Sequence, residues 1–370
     1  MIHIYYYHPL SLTFSSAQTL QVVKDYFYLS KEDNYKIFLY GFYSNHKSYQ
    51  EILEFLQGSS VVLSSKKESK INRTISKIQF LKKIIFDKNP SKVIITRSHQ
   101  KSYEALRYRS MFGSVRIIQE FHEESFPYLL GKKIQKKSLL SIYKSLDGVI
   151  FTNFSQLKLY EKEFDSIPQK YTILPNGVEL ERFSLASMKK NYVLTYLGQF
   201  NDWKNVPLLF QTLSLLDQKY TLRIAGGKGD VKSKEYIDKL ALKYNVSSRV
   251  EYLGFVKNSE IVEKVLNNSN ILLLPLGDNI QSKYLTSPMK LFEYMATKIP
   301  VLAVNYPSVT SIATDNEVFL SKNNPESFAE KIVEIDKYDK IQNKITLMNK
   351  KTKMYSYENR SKQFSNFLSN

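Results

Sequence analysis

Apolar residues recur along the chain in short blocks that alternate with longer amphipathic stretches. Residues 2–7 (IHIYYY), 36–41 (KIFLYG), 59–63, 92–97 (KVIITR), 115–121 (VRIIQEF), 148–152 (GVIFT) and 171–174 (YTIL) have the length and the β-branched or aromatic content of strands. Residues 17–29, 71–86 and 103–111 carry apolar positions at helical spacing, and 8–16 reads as a loop. The alternation starts again at 191–198 (NYVLTYLG). Strands are then predicted at 221–225, 250–253, 271–274 and 300–304, and helices at 205–216, 234–244, 261–267, 289–297, 328–335 and 355–368. Strands separated by helices of this length predict parallel α/β sheets. Two runs of the pattern predict two doubly wound, Rossmann-like domains, 1–185 (with 353–370 returning to it) and 186–352. The hinge is expected at 181–190, just past the turn Pro175-Asn176-Gly177. Ligands of such sheets bind beyond the carboxyl ends of the strands, so two facing domains predict a site in the cleft between them.

Composition narrows the chemistry. The 370 residues are 43% apolar and 24% charged, a globular balance. There is no cysteine, which excludes a disulfide framework, a zinc ribbon and a thiol nucleophile. Five histidines make a multi-histidine metal site a poor expectation. The longest apolar runs, such as 271–276, fall well short of the roughly 18 residues of a membrane span. Met1-Ile2-His3-Ile4-Tyr5 reads as a first strand and not as a signal peptide. The expected location is cytoplasmic.

Fifty-three Lys and Arg against 35 Asp and Glu give a net charge of +18. A strongly basic chain meets anionic partners such as nucleic acid, phospholipid or phosphorylated substrates. An AT-rich genome would also enrich Lys, together with Ile, Asn, Tyr and Phe. The charge is uneven, however. Lys66, Lys67, Lys70, Arg73, Lys77, Lys82, Lys83 and Lys88 form one basic stretch, and Lys132, Lys133, Lys136, Lys137 and Lys144 a second. Ile71, Ile75, Ile78, Leu81, Ile84 and Ile85 interleave with the first, which suits a membrane-surface helix as well as a core helix with a solvated face. No nucleic-acid-binding signature accompanies the charge.

Two loops of the second half carry candidate chemistry. Gly198-Gln199-Phe200-Asn201-Asp202-Trp203-Lys204 follows a strand. A glycine admits close backbone approach, and a lysine before a helix adds charge to exposed N–H groups, so this loop can cradle a diphosphate. An ordinary strand-to-helix loop with a surface lysine has the same residues. In the second loop, Ser287 suits a helix N-cap and Pro288 the first turn. Lys290 and Glu293, three residues apart, share a helix face. Glu293 can accept both hydroxyls of a ribose, or simply pair with Lys290 in solvent.

The segments LPNGVELERF (174–183), YLGQFNDWKN (196–205), RIAGGKGD (223–230), VEYLGFV (250–256) and SPMKLFEYMATKIPVLA (287–303) together resemble the retaining, nucleotide-sugar-dependent GT-B glycosyltransferases (group 1). That family includes bacterial mannosyl-, glucosyl- and N-acetylglucosaminyltransferases of envelope polysaccharide assembly. The resemblance is good over about 170–305, and YSYENR (355–360) is similar to the family's closing helix, which crosses back onto the first domain. It implies a GT-B fold of two Rossmann-like α/β domains. Gly198 and Lys204 would hold the donor diphosphate, with Gln199 where many members have Arg. Phe255 and Val256 would pack the nucleobase. Ser287, Pro288 and Lys290 would lie near the diphosphate, and Glu293 on the ribose. The first carboxylate of the family's E-x7-E motif would fall at Leu285 and is absent; Asp278 or Tyr284 are candidate substitutes. In the first domain, His122 after the strand at 115–121 is similar to the histidine that points at the transferred sugar. Catalytic roles are thus expected for His122, Lys204 and Glu293. Ser15 and Ser16 stand where members usually carry a Gly-Gly pair. His99 reads as loop structure.

The chain contains no D-x-D. A metal-bridged diphosphate usually needs such carboxylates, so a metal-independent reaction with no cofactor and a UDP- or GDP-sugar substrate is expected. Expected partners are that nucleotide-sugar, a glycan or lipid-linked acceptor, and an anionic membrane surface at Lys77, Lys82, Lys83, Lys132 and Lys133. Nucleic acid is not among them. The resemblance thus implies a glycosyltransferase of bacterial surface polysaccharide, lipopolysaccharide or capsule synthesis, peripheral on the inner face of the cell membrane. A non-catalytic nucleotide-sugar-binding subunit on the same fold is the alternative, motivated by the missing Gly-Gly and first Glu; a GT-B epimerase fits the lysine and glutamate placement less well.

Overall fold

The structure is a computed structural model and describes residues 1–14, 16–32 and 34–369. The chain divides into two compact units, 1–177 with 357–370 and 178–356. The expected boundary at 185/186 lies later than this division. Residues just past 177 already belong to the second unit, because Val178, Phe183 and Ala186 are buried in its core and Val178 bridges to Ser356.

The first unit runs β1 (Ile2–Ser11), α1 (Ala17–Leu29), β2 (Tyr35–Tyr43), α2 (His46–Phe55), β3 (Val61–Lys67), α3 (Lys70–Phe86), β4 (Lys92–Thr96), α4 (His99–Arg107), β5 (Val115–Phe121), α5 (Lys136–Lys144), β6 (Gly148–Phe151), α6 (Phe154–Phe164) and β7 (Tyr171–Ile173). Its seven strands pair in parallel in the order β3-β2-β1-β4-β5-β6-β7. Central strands such as β4 are buried along their whole length, as a sheet covered on both faces requires. The topological switch point lies between β1 and β4. β1 runs on to Ser11 with a register shift after Tyr7, so the expected loop at 8–16 starts later than predicted.

The second unit runs α7 (Leu180–Phe183), β8 (Val193–Gly198), α8 (Pro207–Leu215), β9 (Thr221–Gly226), α9 (Val231–Lys243), β10 (Val250–Tyr252), β11 (Ile271–Leu274), α10 (Met289–Met295), β12 (Val301–Val304), α11 (Pro307–Thr310), β13 (Phe319–Ser321), α12 (Pro325–Asp336) and α13 (Ile341–Thr352). Its parallel sheet has the order β10-β9-β8-β11-β12-β13, with the switch point between β8 and β11. The helix expected at 261–267 is a wider π-type turn over Val262–Leu266.

The chain then returns to the first unit as α14 (Tyr357–Ser369). Phe364, Phe367 and Leu368 enter the core formed by α1 and the sheet. Gly148 makes room for this: a Cβ there would lie 2.9 Å from the Phe367 ring. Both sheets, their doubly wound order and the returning helix are the GT-B architecture.

Candidate functional site

The clearest site in the second unit lies at its switch point. Beside it, four glycines meet at the carboxyl ends of β8, β9 and β10. The Gly227 N–H donates to the Gly198 carbonyl at 3.1 Å, and the Gly226 N–H to the Gly254 carbonyl at 2.8 Å. Gly226 has a φ of 129°, and a Cβ on it would lie 1.8 Å from the Gly198 oxygen, so no side chain fits.

Beyond Gly198 the chain turns through Asp202–Lys204 to a left-handed Asn205 and then enters α8. Lys204 thus precedes that helix rather than opening it. Its loop is anchored by the loop after β11: the Trp203 carbonyl accepts from the Gly277 N–H at 2.8 Å and from Ser282 Oγ at 2.9 Å. The Lys204 Nζ sits 3.8 Å from the Trp203 ring centroid, a cation–π geometry. Burial pushes the Lys204 ammonium down to about 7, Lys290 pushes the same way, and Glu293 opposes both. Lys204, from the turn before α8, therefore converges with Lys290 and Glu293 of α10. Such a cluster lacks negative charge and gains by taking up an anion.

Lys290 and Glu293 are paired across one turn of α10, and the pair is not a solvated surface bridge, because Glu293 is buried. The helix begins one residue later than the capping expectation: Pro288 occupies the cap position and no side-chain hydrogen bond closes it, so Ser287 is not the N-cap. Proline has no polar side-chain atom to offer there. Of the two residues expected to pack the nucleobase, Phe255 is 45% exposed, whereas Val256 packs against the core. Leu285 is buried, and Asp278 is an exposed partner of Lys283. Among the described residues, no three His, Asp or Glu side chains gather closely enough to hold a metal ion.

In the first unit, β5 ends at Phe121 and places His122 beside a buried charged network. Arg97, just past β4, donates from Nε to His122 Nε2 at 2.7 Å and from Nη2 to Glu120 Oε1 at 3.2 Å and Gln21 Oε1 at 3.3 Å. Gln21 bonds in turn to Asn176. Arg360 of α14 reaches Glu120 Oε1 at 3.3 Å from the other side. Burial lowers the His122 imidazole, and Arg97 lowers it further while Glu120 opposes. The Glu120 carboxyl stays well below the carboxylate range, because the pull of Arg97 and its neighbours outweighs the burial that would raise it. Sequence reading did not single out Arg97, Gln21 or Arg360. Arg97 carried one usable signal: a charged residue shortly after the apolar run Val93-Ile94-Ile95.

Ser16 caps α1 by accepting from the Thr19 N–H at 3.4 Å, a structural task. Ser15 lies outside the described residues. His99, expected as loop structure, instead opens α4 directly after the Ser98 cap and is buried, with Nδ1 2.8 Å from the Glu124 carbonyl oxygen. The basic residues prove to be divided among elements. Lys66 and Lys67 lie on the edge strand β3, where charge discourages edge pairing. Lys77 pairs with Glu104 at 3.1 Å, Lys132 with Glu124 at 3.8 Å, and Lys83 lies over the Phe38 ring. Lys82 and Lys133 are exposed. The interleaved apolar residues of α3 separate too: Phe80 and Ile84 turn inward, while Ile71, Ile75, Ile78 and Phe86 face solvent. Among the described residues, no helix is long and apolar enough to cross a membrane.

Comparison with known proteins bears on the family and the fold. Residues 178–352 match the family described as glycosyl transferases group 1. An uncharacterized glycosyltransferase of Methanocaldococcus jannaschii is 25% identical over 195 residues, 49% of this chain and 45% of its own. The chain therefore matches less than half the length of that relative. Among solved structures, HepE of Anabaena in complex with UDP and glucose aligns over 100% of both chains with a TM-score of 0.75 and 11% identity. A glycosyltransferase from Rickettsia africae aligns over 100% of this chain and 98% of its own, with a TM-score of 0.74 and 14% identity. The lipopolysaccharide outer core galactosyltransferase WaaB aligns over 100% and 99%, with a TM-score of 0.71 and 14% identity. At such identities the likeness is one of fold. Over its second unit, residues 178–352, the chain is thus similar to the glycosyl transferases group 1 family.

Proposed function

We propose that the protein is a retaining, metal-independent glycosyltransferase that moves a hexose from a nucleoside diphosphate sugar to a glycan or lipid-linked acceptor. The observation that carries the reading is the convergence of Lys204 and Lys290 with Glu293 at the switch point of the family-matched unit. In this reading the two ammonium groups bind the donor diphosphate and stabilise the charge that grows on it as the anomeric carbon–oxygen bond breaks. Glu293 binds the ribose, and the exposed Phe255 ring the base. The acceptor hydroxyl attacks the oxocarbenium-like carbon from the face the diphosphate leaves, and its proton passes to the departing phosphate oxygen. His122 faces the transferred sugar. HepE, solved with UDP and glucose, makes UDP-glucose the first donor to try.

The acceptor side of the proposal is a surface polysaccharide or lipopolysaccharide intermediate at the inner face of a bacterial membrane. Its support is the outward row of Ile71, Ile75, Ile78 and Phe86 on α3 beside exposed Lys82, a pattern suited to an anionic bilayer surface. The test is a panel of UDP-, GDP- and ADP-sugars, scored for binding and for hydrolysis without acceptor, with and without EDTA. One base should bind, and slow hydrolysis should release the sugar with retained anomeric configuration. Binding without any hydrolysis or transfer would favour a non-catalytic subunit. Loss of activity in EDTA with rescue by a divalent ion would overturn metal independence.

A further inference from the structure

A guanidinium only donates hydrogen bonds. The 2.7 Å contact from Arg97 Nε therefore fixes His122 Nε2 as an acceptor, and a neutral imidazole then carries its proton on Nδ1. The same ring has a competing neighbour. Glu120 Oε1 lies 3.4 Å from His122 Nε2 and, if unopposed, would draw a proton onto that nitrogen. Two guanidiniums occupy the oxygen instead, Arg97 at 3.2 Å and Arg360 at 3.3 Å. Gln21 Oε1 holds Arg97 from α1 at 3.3 Å, so the fork is braced from a third element.

We propose that Arg97 is a positioning residue that confines the His122 proton to Nδ1, so that the ring meets its substrate as a neutral hydrogen-bond donor. The inference rests on the reading that His122 faces the transferred sugar. A neutral donor can bind a sugar hydroxyl without placing a full positive charge beside an oxocarbenium-like centre, where it would oppose the charge that develops. Arg97 thus does two things at once. Its hydrogen bond selects the tautomer, and its charge works against protonation of the ring. The charged groups that face His122 are Arg97 after β4, Glu120 on β5 and Arg360 on α14; the two arginines disfavour the imidazolium and Glu120 favours it. With Arg97 gone, Glu120 is left as the group nearest to Nε2.

The test is a pH titration of the full chain labelled with 15N-histidine, with the His122 signals assigned by their loss in His122→Gln. In the unsubstituted protein at pH 7.5, His122 should show the Nδ1–H tautomer, with its midpoint below that of a free imidazole. An Nε2–H tautomer there would overturn the proposal without any variant. In Arg97→Met the Nε2–H form should appear, or the midpoint should rise by about one pH unit or more. The acid limb of the transfer or hydrolysis rate should move up with it. Arg97→Lys keeps the charge but not the fork, so its midpoint should stay low while the Nδ1–H form loses its dominance. A substituted protein that keeps its circular dichroism, its Nδ1–H tautomer and its midpoint would overturn the proposal. His122→Ala separates the two layers: full activity there would overturn the sugar-facing reading of His122, while the titration judges the tautomer lock by itself.

Discussion

Arg360 of α14 pairs with Asp25 of α1 at 3.3 Å, and both side chains are almost wholly buried. The same guanidinium touches Glu120, so one residue of the returning helix neutralises two carboxylates inside the first unit. Burial pushes the Asp25 carboxyl well above its ordinary range, against the pull of Arg360. Removing one partner of a buried pair strands the other charge, at a cost of about 3–5 kcal/mol. Arg360→Met should therefore lower the urea midpoint of the first unit's unfolding. Adding Asp25→Asn should restore part of the loss, because Arg97 still balances Glu120. Equal midpoints for Arg360→Met and the unsubstituted chain would show that the network contributes nothing.

Lys204→Met should weaken donor binding by about tenfold to a hundredfold, the worth of one charge-assisted contact of roughly 1.5–3 kcal/mol. Thermal stability should hold or rise, since a confined ammonium beside Lys290 is removed. Isothermal titration with the cognate nucleoside diphosphate reads the first quantity and a melting curve the second. A fall in stability with unchanged affinity would make Lys204 a structural lysine.

The pH dependence of binding follows from the same group. With its pKa near 7, Lys204 is largely neutral at pH 8 in the free protein. A bound diphosphate favours the charged form, so binding takes up a proton. Affinity should fall as pH rises above 7, by up to about tenfold per unit, until the pKa of the bound state is reached. Titrations at pH 8 in buffers of different ionisation enthalpy should reveal up to about one proton absorbed, and none in Lys204→Met. Proton release instead of uptake would contradict the assignment.

Gly226→Ala should abolish nucleotide binding. The new methyl would need to displace the Gly198 carbonyl at the end of β8, and φ there is 129°. Clash and strain together are worth about 3 kcal/mol or more. A differential melting curve should show the second unit weakened while the first keeps its transition. A normal melt with normal affinity would mean the strand ends tolerate movement.

Vesicle co-sedimentation tests the acceptor side. Binding should need anionic lipid and decline with salt, as the Debye length falls from about 10 Å at 0.1 M to about 3 Å at 1 M. Ile75→Ser with Ile78→Ser should reduce it at every salt concentration, and Lys82→Glu should reduce it most at low salt. Neither change should affect hydrolysis of the soluble donor. Equal binding to neutral and anionic vesicles would leave only a solvated face.

Periodicity located most strands, because a central parallel strand such as Ile271–Leu274 is buried throughout and leaves an unmistakable apolar block. It missed helices whose buried face is thin. α2 buries only Ile52, and α13 carries its burial on Lys344, Ile345, Met348 and Thr352, two of them polar. α6 had a usable start signal in Asn153, whose side chain accepts from the Gln156 N–H at 2.9 Å. Lys204, Lys290 and Glu293 were legible because each sits in a local motif. The Arg97 network was not, since its members come from positions 21, 97, 120, 122, 176 and 360 and no local spacing joins them.

The path of the chain has a consequence for its synthesis. Phe364, Phe367 and Leu368 complete the first core, yet all of residues 178–356 leave the ribosome before them. At about 5–20 residues per second, the first sheet waits on the order of ten to forty seconds with an apolar groove uncovered along α1. The second unit needs no such partner and can close while the first is still open. The half of the molecule that is made first is thus the half that finishes folding last, and chaperone capture during that interval should fall on α1 and the groove beside it.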